Sequence, residues 1–268
     1  MKRSILITGA YGGMGRATAK QFSDIGFRVF ALDRTVDVQT DGDIIPIEAD
    51  VTEEESVKRA FAEVAEITDS LYAIIHFAGI YMLDSLVEID TADFEKIFKV
   101  NLEGVYLVNK NFFSLLNQGS RIIITTSELA PLDPLPFTGI YAVTKTALDK
   151  YAYSLRMELQ LKGVDVSVLR AGAVDTGMLG ASTAALDRFH EKTELYSCNA
   201  ARFKSIVEGV EARCISPEKV AKKIIGILKK KRPRFSYTIN RNPLLLILNA
   251  LPRRFQFWVI KRILREKN

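Results

Sequence analysis

The first structured stretch reads Ser4-Ile-Leu-Ile-Thr8, and Gly9-Ala-Tyr-Gly-Gly-Met-Gly15 follows it at once. The apolar run predicts a strand that is buried on both faces, and residues 16–25 have the apolar spacing of a helix. A strand, a glycine turn and a helix in this order favour dinucleotide binding, because glycines let backbone amides approach a pyrophosphate at the helix N-terminus. A glycine turn without a ligand is the alternative. The predicted contact residues in the turn are Gly9, Tyr11, Gly13, Met14 and Gly15.

An acidic residue ends the second predicted strand, because Phe27-Arg-Val-Phe-Ala-Leu32 is followed by Asp33. This position, about 20 residues past the glycine turn, suits a carboxylate that accepts hydrogen bonds from the adenosine ribose and repels a 2′-phosphate. The charge favours NAD as the cofactor. NADP remains the alternative, because the neighbouring Arg34 could accept the phosphate. Asp50 and Val51 are predicted beside the adenine, although a turn aspartate fits the spacing of Asp50 equally well.

Strands and helices alternate along the rest of the chain. The further predicted strands are residues 44–50, 71–77, 121–127, 164–169 and 235–239. This alternation predicts an α/β protein with a doubly wound parallel sheet of about seven strands, a Rossmann fold. Ligands of such sheets bind beyond the carboxyl ends of the strands. That rule places Ala78, Gly79 and Ser127 at the predicted site.

A phenol and an ammonium lie one turn apart on a predicted helix, in the stretch Tyr141-Ala-Val-Thr-Lys145. A nearby ammonium stabilises a phenolate and lowers the tyrosine pKa from about 10 toward neutral. Such a tyrosine exchanges protons with an alcohol or a carbonyl near pH 7. The pair alone is a weak signal, because a half-buried tyrosine beside a solvated lysine has the same spacing. Asn101 lies inside a predicted helix at 90–116, where its local sequence indicates a surface residue.

In this order, these elements resemble the short-chain dehydrogenase/reductase family over roughly residues 4–240. The matching residues are Thr8, Gly9, Gly13, Gly15, Asp33, Asn101, Ser127, Tyr141, Lys145, Gly172 and Thr176. The resemblance implies that Tyr141 is the general acid/base and that Ser127 hydrogen-bonds the substrate oxygen. It implies that Lys145 lowers the pKa of Tyr141 and holds the nicotinamide ribose, and that Asn101 completes a water-linked proton relay through Lys145.

The same resemblance implies that the stretch after the sixth strand binds the nicotinamide carboxamide, through Gly172, Val174 and Thr176. Two stretches depart from the family pattern. The usual Asn-Asn-Ala-Gly is His76-Phe77-Ala78-Gly79 here, and the usual Pro-Gly is Ala171-Gly172. Phe77 cannot tie neighbouring strands together by a side-chain hydrogen bond, and we expect His76 to be structural. Neither change removes a proton-transfer group, so we expect activity.

Composition and cysteine usage bound the domain organisation. The 268 residues are 48% hydrophobic and include two cysteines and two histidines. We predict one catalytic domain at 1–240, with a substrate lid at 177–215, and a C-terminal helical extension at 241–268. Two cysteines indicate no disulfide framework, which suits a reducing, cytoplasmic location, and no Cys/His cluster indicates a metal site. The apolar run at the N-terminus is too short to span a membrane.

The C-terminal extension combines an apolar run, Leu244-Leu-Leu-Ile-Leu248, with a candidate amphipathic helix at 253–265. One side of that helix carries Val259, Ile260, Ile263 and Leu264, and basic residues gather on the other side. One interpretation is a membrane-surface anchor whose apolar face enters lipid, and another is a cap on the substrate pocket or on a partner subunit. The coincidence of leucines, aromatic residues and basic residues favours the membrane. Nucleic-acid binding is disfavoured, because no recognised module is present.

Two classes of function follow from these observations. We expect an oxidoreductase that transfers a hydride between a nicotinamide cofactor and a secondary alcohol or ketone of a hydrophobic, steroid-, retinoid- or lipid-like substrate. A soluble reductase of a smaller carbonyl, of sugar or 3-oxoacyl type, is the alternative among enzymes. A non-catalytic NAD-binding sensor or scaffold is the alternative outside them, and the intact Tyr141, Lys145 and Ser127 argue against it. The family resemblance implies a homodimer or homotetramer.

Overall fold

The computed structural model describes residues 2–36, 42–211 and 214–265, apart from the side chains of 178–183 and 208–211. Its strands are β1 (Ser4–Thr8), β2 (Arg28–Asp33), β3 (Ile44–Glu48), β4 (Leu71–His76), β5 (Leu116–Ser127), β6 (Asp165–Ala171) and β7 (Ser236–Ile239). They form one seven-stranded sheet in the order β3-β2-β1-β4-β5-β6-β7, and each neighbouring pair is parallel. The predicted doubly wound α/β fold is confirmed.

Ten α-helices are described. They are α1 (Gly13–Asp24), α2 (Glu54–Ile67), α3 (Thr91–Phe98), α4 (Gly104–Phe112), α5 (Gly139–Leu159), α6 (Gly177–Lys192), α7 (Ser197–Glu211), α8 (Pro217–Leu228), α9 (Pro243–Ala250) and α10 (Arg253–Leu264). The predicted helix at 90–116 is interrupted, because a π-helical turn at Lys99–Glu103 joins α3 to α4. The predicted lid forms α6 and α7, and its residues 212 and 213 lie outside the described part of the chain.

Both faces of the sheet are covered by helices, which explains why β1 is apolar without alternation. Alternate residues of a strand point to opposite faces, so Leu6 belongs to one core while Ile5 and Ile7 belong to the other. The Leu6 core contains residues of α2, α4 and α5, and the opposite core contains residues of α1 and α8. All five residues of β1 are buried, which fixes the strand as the centre of the fold.

The strand order reverses direction at β1, which pairs with β2 on one side and with β4 on the other. Crossover helices leave the sheet on opposite faces at such a point and open a crevice beyond the carboxyl ends of the strands. The glycine turn after β1 and the ends of β4, β5 and β6 all lie at that edge. Topology alone therefore brings residues from distant parts of the sequence together there.

Candidate active site

The glycine turn packs so tightly that side chains could not replace two of its glycines. Gly9 adopts φ +66°, and a Cβ atom there would lie 2.6 Å from the backbone nitrogen of Ala78. A Cβ atom at Gly15 would lie 2.1 Å from the carbonyl oxygen of Gly9. The N-terminus of α1 is thereby held against the end of β4, with its first amides at the crevice.

A cleft of about 1100 Å³ runs over this turn. It is lined by the predicted cofactor residues Gly9, Tyr11, Gly13, Met14, Gly15, Asp33, Arg34, Asp50, Val51, Ala78, Gly79 and Thr176. Gly13 packs closely against Thr176, which follows β6: a Cβ atom at Gly13 would lie 2.7 Å from Thr176 Cγ2. The cleft is thus a single surface assembled from the ends of several strands.

Asp33 is fixed at the adenosine end of the cleft by two backbone amides. Its Oδ2 atom accepts a hydrogen bond from the amide of Tyr11 at 2.9 Å, and its Oδ1 atom accepts one from Arg34 at 2.8 Å. Each carboxylate oxygen can accept a further bond, so the side chain remains suited to a ribose diol. Asp50 accepts bonds from the amide and hydroxyl of Thr52 through Oδ1 alone, at 2.9 and 2.7 Å.

Ser127, Tyr141 and Lys145 meet at the tip of β5 and the start of α5. Ser127 is the last residue of β5, its hydroxyl accepts a hydrogen bond from the amide of Leu129 at 3.2 Å, and it lines the same pocket as Tyr141. The Nζ atom of Lys145 lies 5.6 Å from the centroid of the Tyr141 ring. All three side chains are buried, with exposed fractions of 6%, 9% and 6%. The predicted pairing of the phenol and the ammonium on one helix face is therefore present.

The direction of the Tyr141 pKa corrects one expectation. Burial raises the pKa of Tyr141 well above its usual value, the neighbouring Tyr81 phenol raises it further, and the Ser127 hydroxyl offsets only part of this. Burial also lowers the pKa of Lys145 to about 8. The prediction that Lys145 lowers the pKa of Tyr141 toward about 7 did not allow for the loss of hydration by both groups. In this state Tyr141 holds its proton at neutral pH.

Asn101 is fully buried, so its expected surface position is wrong. It lies in the π-helical turn, where its Oδ1 atom accepts from the amide of Ile80 at 2.8 Å. Its Nδ2 atom donates to the carbonyl of Ile80 at 3.0 Å and to Thr144 Oγ1 at 3.2 Å. The side chain therefore ties the loop after β4 to the helix that carries Lys145. π-Helical turns often occur at functional sites.

The residues present fit a nicotinamide dinucleotide. Lys145 carries a buried ammonium, and no other described residue hydrogen-bonds its Nζ atom. A Cβ atom at Gly79 would lie 3.2 Å from Asn101 Oδ1 and 3.4 Å from Lys145 Nζ, so only glycine leaves that corner open. A buried cation with room beside it is suited to the hydroxyls of a ribose. These residues, together with the glycine turn, are suited to hold the two ends of such a cofactor.

At His76 and Phe77, where the sequence departs from the family pattern, hydrogen bonds within the core hold the residues in place. His76 Nε2 lies 3.0 Å from Asn109 Oδ1, and Asn109 Nδ2 donates to the Tyr151 hydroxyl at 3.2 Å. Burial lowers the pKa of His76 to about 4, so the ring is neutral at pH 7. The amide of Phe77 donates to the Thr8 carbonyl at 3.0 Å, which ties β4 to β1 through the backbone. His76 is therefore a structural residue, as expected.

A second cavity, of about 580 Å³, adjoins the dinucleotide cleft at Met14, Gly79 and Thr176. Ser127, Tyr141 and Lys145 line it, as do the predicted carboxamide-binding residues Gly172 and Val174. Its other walls are largely apolar side chains of α7 and of the C-terminal extension, including Phe203, Ile206, Val207, Leu244, Leu245, Ile247, Leu248, Val259, Ile260, Ile263 and Leu264. This substrate pocket is thus closed by the last part of the chain.

The position of α10 bears on the two interpretations of the extension. Of the apolar face that we predicted to enter lipid, Val259, Ile260 and Leu264 line the substrate pocket, and Ile263 lines it while remaining 52% exposed. The cap interpretation therefore describes that face. Membrane contact stays a prediction for the outward surface of α9 and α10. No helix in the described ranges is long and apolar enough to cross a bilayer.

Glu128 was not singled out from the sequence. It follows Ser127, lines the substrate pocket, and accepts a hydrogen bond from the amide of Asn242 at 2.6 Å through Oε2. Burial raises the pKa of its carboxyl, while the Asn242 amide and Arg241 lower it in part. A charged residue directly after a buried strand was the available signal. The strand tip is therefore linked to the start of α9.

A model of the short chain dehydrogenase family matches residues 3–187. The chain belongs to the short-chain dehydrogenase family. The predicted enzyme class, an NAD(P)-dependent oxidoreductase, is confirmed with it. The family match covers the glycine turn, Ser127 and the pair on α5, whereas α7 and the extension lie outside it.

Several curated relatives agree with the family assignment. NADPH-dependent 1-acyldihydroxyacetone phosphate reductase from Schizosaccharomyces pombe is 34% identical over 180 residues, covering 65% of this dehydrogenase and 61% of the yeast enzyme. Uncharacterized oxidoreductase YbbO from Escherichia coli is 30% identical over 89% of this chain and 86% of its own. Mouse estradiol 17-beta-dehydrogenase 2 is 31% identical, and the match covers 67% of this chain but 50% of the mouse protein.

Solved structures share the fold at low identity. A short chain dehydrogenase family protein from Francisella tularensis superposes with a TM-score of 0.74 at 19% identity, over 89% of this chain and 97% of the other. The 3-ketoacyl-(acyl-carrier-protein) reductase from Brucella melitensis, in complex with NADH, gives 0.72 at 19% identity, over 88% and 96% of the two chains. These likenesses concern the sheet and its helices.

Proposed function

We propose that this dehydrogenase transfers a hydride between a nicotinamide cofactor and a secondary alcohol or ketone of a hydrophobic substrate. The observation that carries the proposal is that Ser127, Tyr141 and Lys145 are all buried and line one apolar pocket that adjoins the dinucleotide cleft. A pocket of about 580 Å³ is within the range of pockets for drug-sized ligands. The yeast and mouse relatives are named for a lipid and a steroid, which is consistent with such a substrate.

The residues divide the chemistry between them. When bound, the nicotinamide supplies or accepts the hydride. Tyr141 donates its proton to the carbonyl oxygen as an alcohol forms, and Ser127 hydrogen-bonds the same oxygen. Lys145 holds the ribose hydroxyls, and Asn101 orders the loop beside it for a water-linked return of the proton. Burial keeps Tyr141 protonated at neutral pH, which is the form that donates a proton to a carbonyl oxygen.

The choice of cofactor is a proposal of its own. Asp33 favours NAD by repelling a 2′-phosphate, and the yeast relative named as NADPH-dependent keeps NADP as the alternative. A homodimer or homotetramer is also proposed. Its support is a set of exposed apolar side chains on α4, on the turn that follows it and on α5: Tyr106, Phe113, Val143, Tyr153 and Met157.

A soluble reductase of a smaller carbonyl is the second candidate, because the 3-ketoacyl reductase shares the fold. The apolar lining of the pocket argues against a sugar. A panel that compares long-chain, steroid, sugar and short 3-oxoacyl carbonyls at fixed cofactor separates the candidates by kcat/KM. If the sugar or short acyl compound gives the highest value, then the second candidate replaces the first.

Tyr141→Phe tests the assigned role. The variant should lose at least about 100-fold in kcat, because the proton donor is removed, and it should bind NADH almost unchanged in a fluorescence titration. Tyr81→Phe is the matched control, because its ring lies 4.9 Å from that of Tyr141 and it also loses one hydroxyl. Loss of NADH binding with an unchanged residual rate would contradict the assignment.

A further inference from the structure

The outer surface of the C-terminal extension combines features that its inner face does not explain. The inner face lines the pocket, yet Leu244, Ile247 and Ile263 are also 61%, 62% and 52% exposed. Residues that both line a pocket and face solvent form its rim. The mouth of the substrate pocket is therefore bordered by exposed aliphatic side chains, which is an unfavourable arrangement in water.

Aromatic side chains continue this surface along α10. Phe257 and Trp258 are 68% and 56% exposed, and Phe255 stacks on Trp258 with ring centroids 5.4 Å apart. The guanidinium of Arg262 lies 5.9 Å from the Trp258 ring. Tryptophan with adjacent arginine is typical of the interface between lipid tails and head groups, where an apolar body and a charged end are both accommodated.

The charge of the surface is of one sign. Residues 241–265 include six basic and no acidic residues. The basic side chains are all exposed: Arg241, Arg253, Arg254, Lys261, Arg262 and Arg265. One of them, Arg253, also approaches Asp133 at 3.4 Å. A mainly positive surface with apolar residues between the charges complements anionic lipid head groups above exposed acyl chains.

We propose that the outward surface of α9 and α10 docks on a bilayer that contains anionic phospholipid, with the mouth of the substrate pocket turned toward the lipid. The docking is independent of the proposed reaction, and only the use of the mouth by a hydrophobic substrate rests on it. The apolar rim then faces lipid instead of water, and a substrate dissolved in the bilayer reaches Ser127 and Tyr141 without crossing the aqueous phase.

Trp258 makes the docking directly measurable, because it is the only tryptophan in the chain. The full-length protein is mixed with vesicles of phosphatidylcholine, with or without one-third phosphatidylglycerol, and both sedimentation and Trp258 emission are recorded. We expect binding and a shift of emission to shorter wavelength with the anionic vesicles. Equal behaviour with both vesicles, or no binding to either, would overturn the proposal.

Charge reversal tests the surface itself. Arg254→Glu with Arg262→Glu should weaken vesicle binding by at least about tenfold. Each basic residue near an anionic surface increases the affinity by a factor of about ten or less, and the double substitution removes two such residues. Lys229→Glu with Lys230→Glu is the matched control, because it changes the net charge by the same amount. Both lysines are exposed and directly follow α8, near the start of β7, at the edge of the sheet opposite the substrate pocket. If both pairs weaken binding equally, the attraction is not specific to α10 and the proposal fails.

The position of the mouth has its own test. In Trp258→Phe with Ile247→Trp, the single indole lies on the rim, and lipids with brominated acyl chains should quench its emission. A rim indole that is not quenched, while Trp258 of the unaltered protein is, would exclude a mouth turned toward the lipid. Leu244→Ser with Ile247→Ser should weaken binding, whereas Ile25→Ser with Ile67→Ser, at exposed positions of the opposite edge, should not.

A second copy of this chain is the competing occupant. Sedimentation velocity without vesicles distinguishes it, because self-association through this surface would be reduced by Arg254→Glu with Arg262→Glu and would make vesicle binding fall as protein concentration rises. Neither effect is expected. A protein that binds anionic vesicles but reduces none of the tested carbonyls would retain the docking surface and lose the proposed reaction.

Discussion

Burial removes water from an ammonium group and so makes it easier to deprotonate, and the pKa of Lys145 shows the size of this effect. Burial lowers its pKa to about 8, so at neutral pH the group is still charged but close to its titration. The same burial raises the pKa of Tyr141. Burial thus moves the two pKa values apart, so that at neutral pH Lys145 keeps its charge and Tyr141 keeps its proton.

The stability of the cofactor-free protein should report on Lys145. Its pKa falls from 10.5 in the unfolded chain to about 8 in the folded one, so the cost of burying the charge is full below about pH 8 and disappears as the pH approaches 10.5. Lys145→Met should therefore be more stable than the parent at pH 7, by roughly 3 kcal/mol at most, and the difference should shrink at pH 9.5. Urea unfolding at the two pH values measures this. A variant less stable at both would contradict it.

Asp33 is the residue at which cofactor choice is tested. Asp33→Ser removes the charge that repels a 2′-phosphate but keeps an acceptor for the Tyr11 amide, which now donates to Asp33 at 2.9 Å. The ratio of kcat/KM for NADP to that for NAD should rise by about tenfold or more. Asp50→Ser is the matched carboxylate control. If the parent enzyme already prefers NADP, then Arg34 dominates and the proposed preference for NAD is wrong.

At the scale of elements, the C-terminal extension is held to the loop between β5 and α5, and to α7, by contacts between residues that are distant in sequence. Asn249 Oδ1 accepts from the amide of Asp133 at 2.6 Å, 116 residues away, and Glu128 reaches Asn242 over 114 residues. Asn199 Nδ2 donates to the carbonyl of Leu264 at 2.6 Å. The extension is therefore fastened at its start, in its middle and near its end.

Glu128 is expected to act as a positioning residue for α9. Glu128→Ala leaves the amide of Asn242 without its acceptor, whereas Glu128→Gln keeps a carbonyl oxygen there. The alanine variant should raise KM for the carbonyl substrate and speed proteolysis within 241–268, and NADH binding should stay unchanged. The glutamine variant should resemble the parent. Equal effects of both substitutions would indicate that the charge, and not the hydrogen bond, is what matters.

The contrast between predictable and unpredictable elements has a physical origin. β1, the glycine turn and α1 were predicted because periodicity and glycine placement are local signals. The burial of Asn101 was not, because it depends on the backbone of Ile80, 21 residues earlier. The prediction that Val259 and Ile260 contact lipid was wrong for the same reason. An amphipathic pattern indicates that one face of a helix is covered, but it does not indicate what covers that face.

At the scale of the whole molecule, the exposed apolar side chains of α4 and α5 are not among those that line the substrate pocket, so the proposed assembly would leave the pocket open. Tyr153 and Met157 are 53% and 50% exposed on one face of α5. Contiguous exposed apolar patches of this kind often mark protein–protein contacts.

The oligomer is expected to depend on that face. Tyr153→Glu with Met157→Glu should convert the protein to a smaller species in sedimentation velocity, because charges would be buried at the contact without partners. Val87→Glu with Leu195→Glu is the control, at residues that are 73% and 66% exposed elsewhere. A parent protein that sediments as a monomer would refute the proposed assembly.

The wall that α9 and α10 form has a consequence for how such an enzyme diversifies. The proposed reacting groups lie between Asn101 and Lys145, whereas much of the pocket wall comes from residues 242–264. Substitutions in this short tail can reshape the pocket without touching the sheet, the cofactor cleft or the proton-transfer groups. Grafting the tail of one relative onto the catalytic body of another is therefore a direct way to exchange substrate range while the chemistry stays constant.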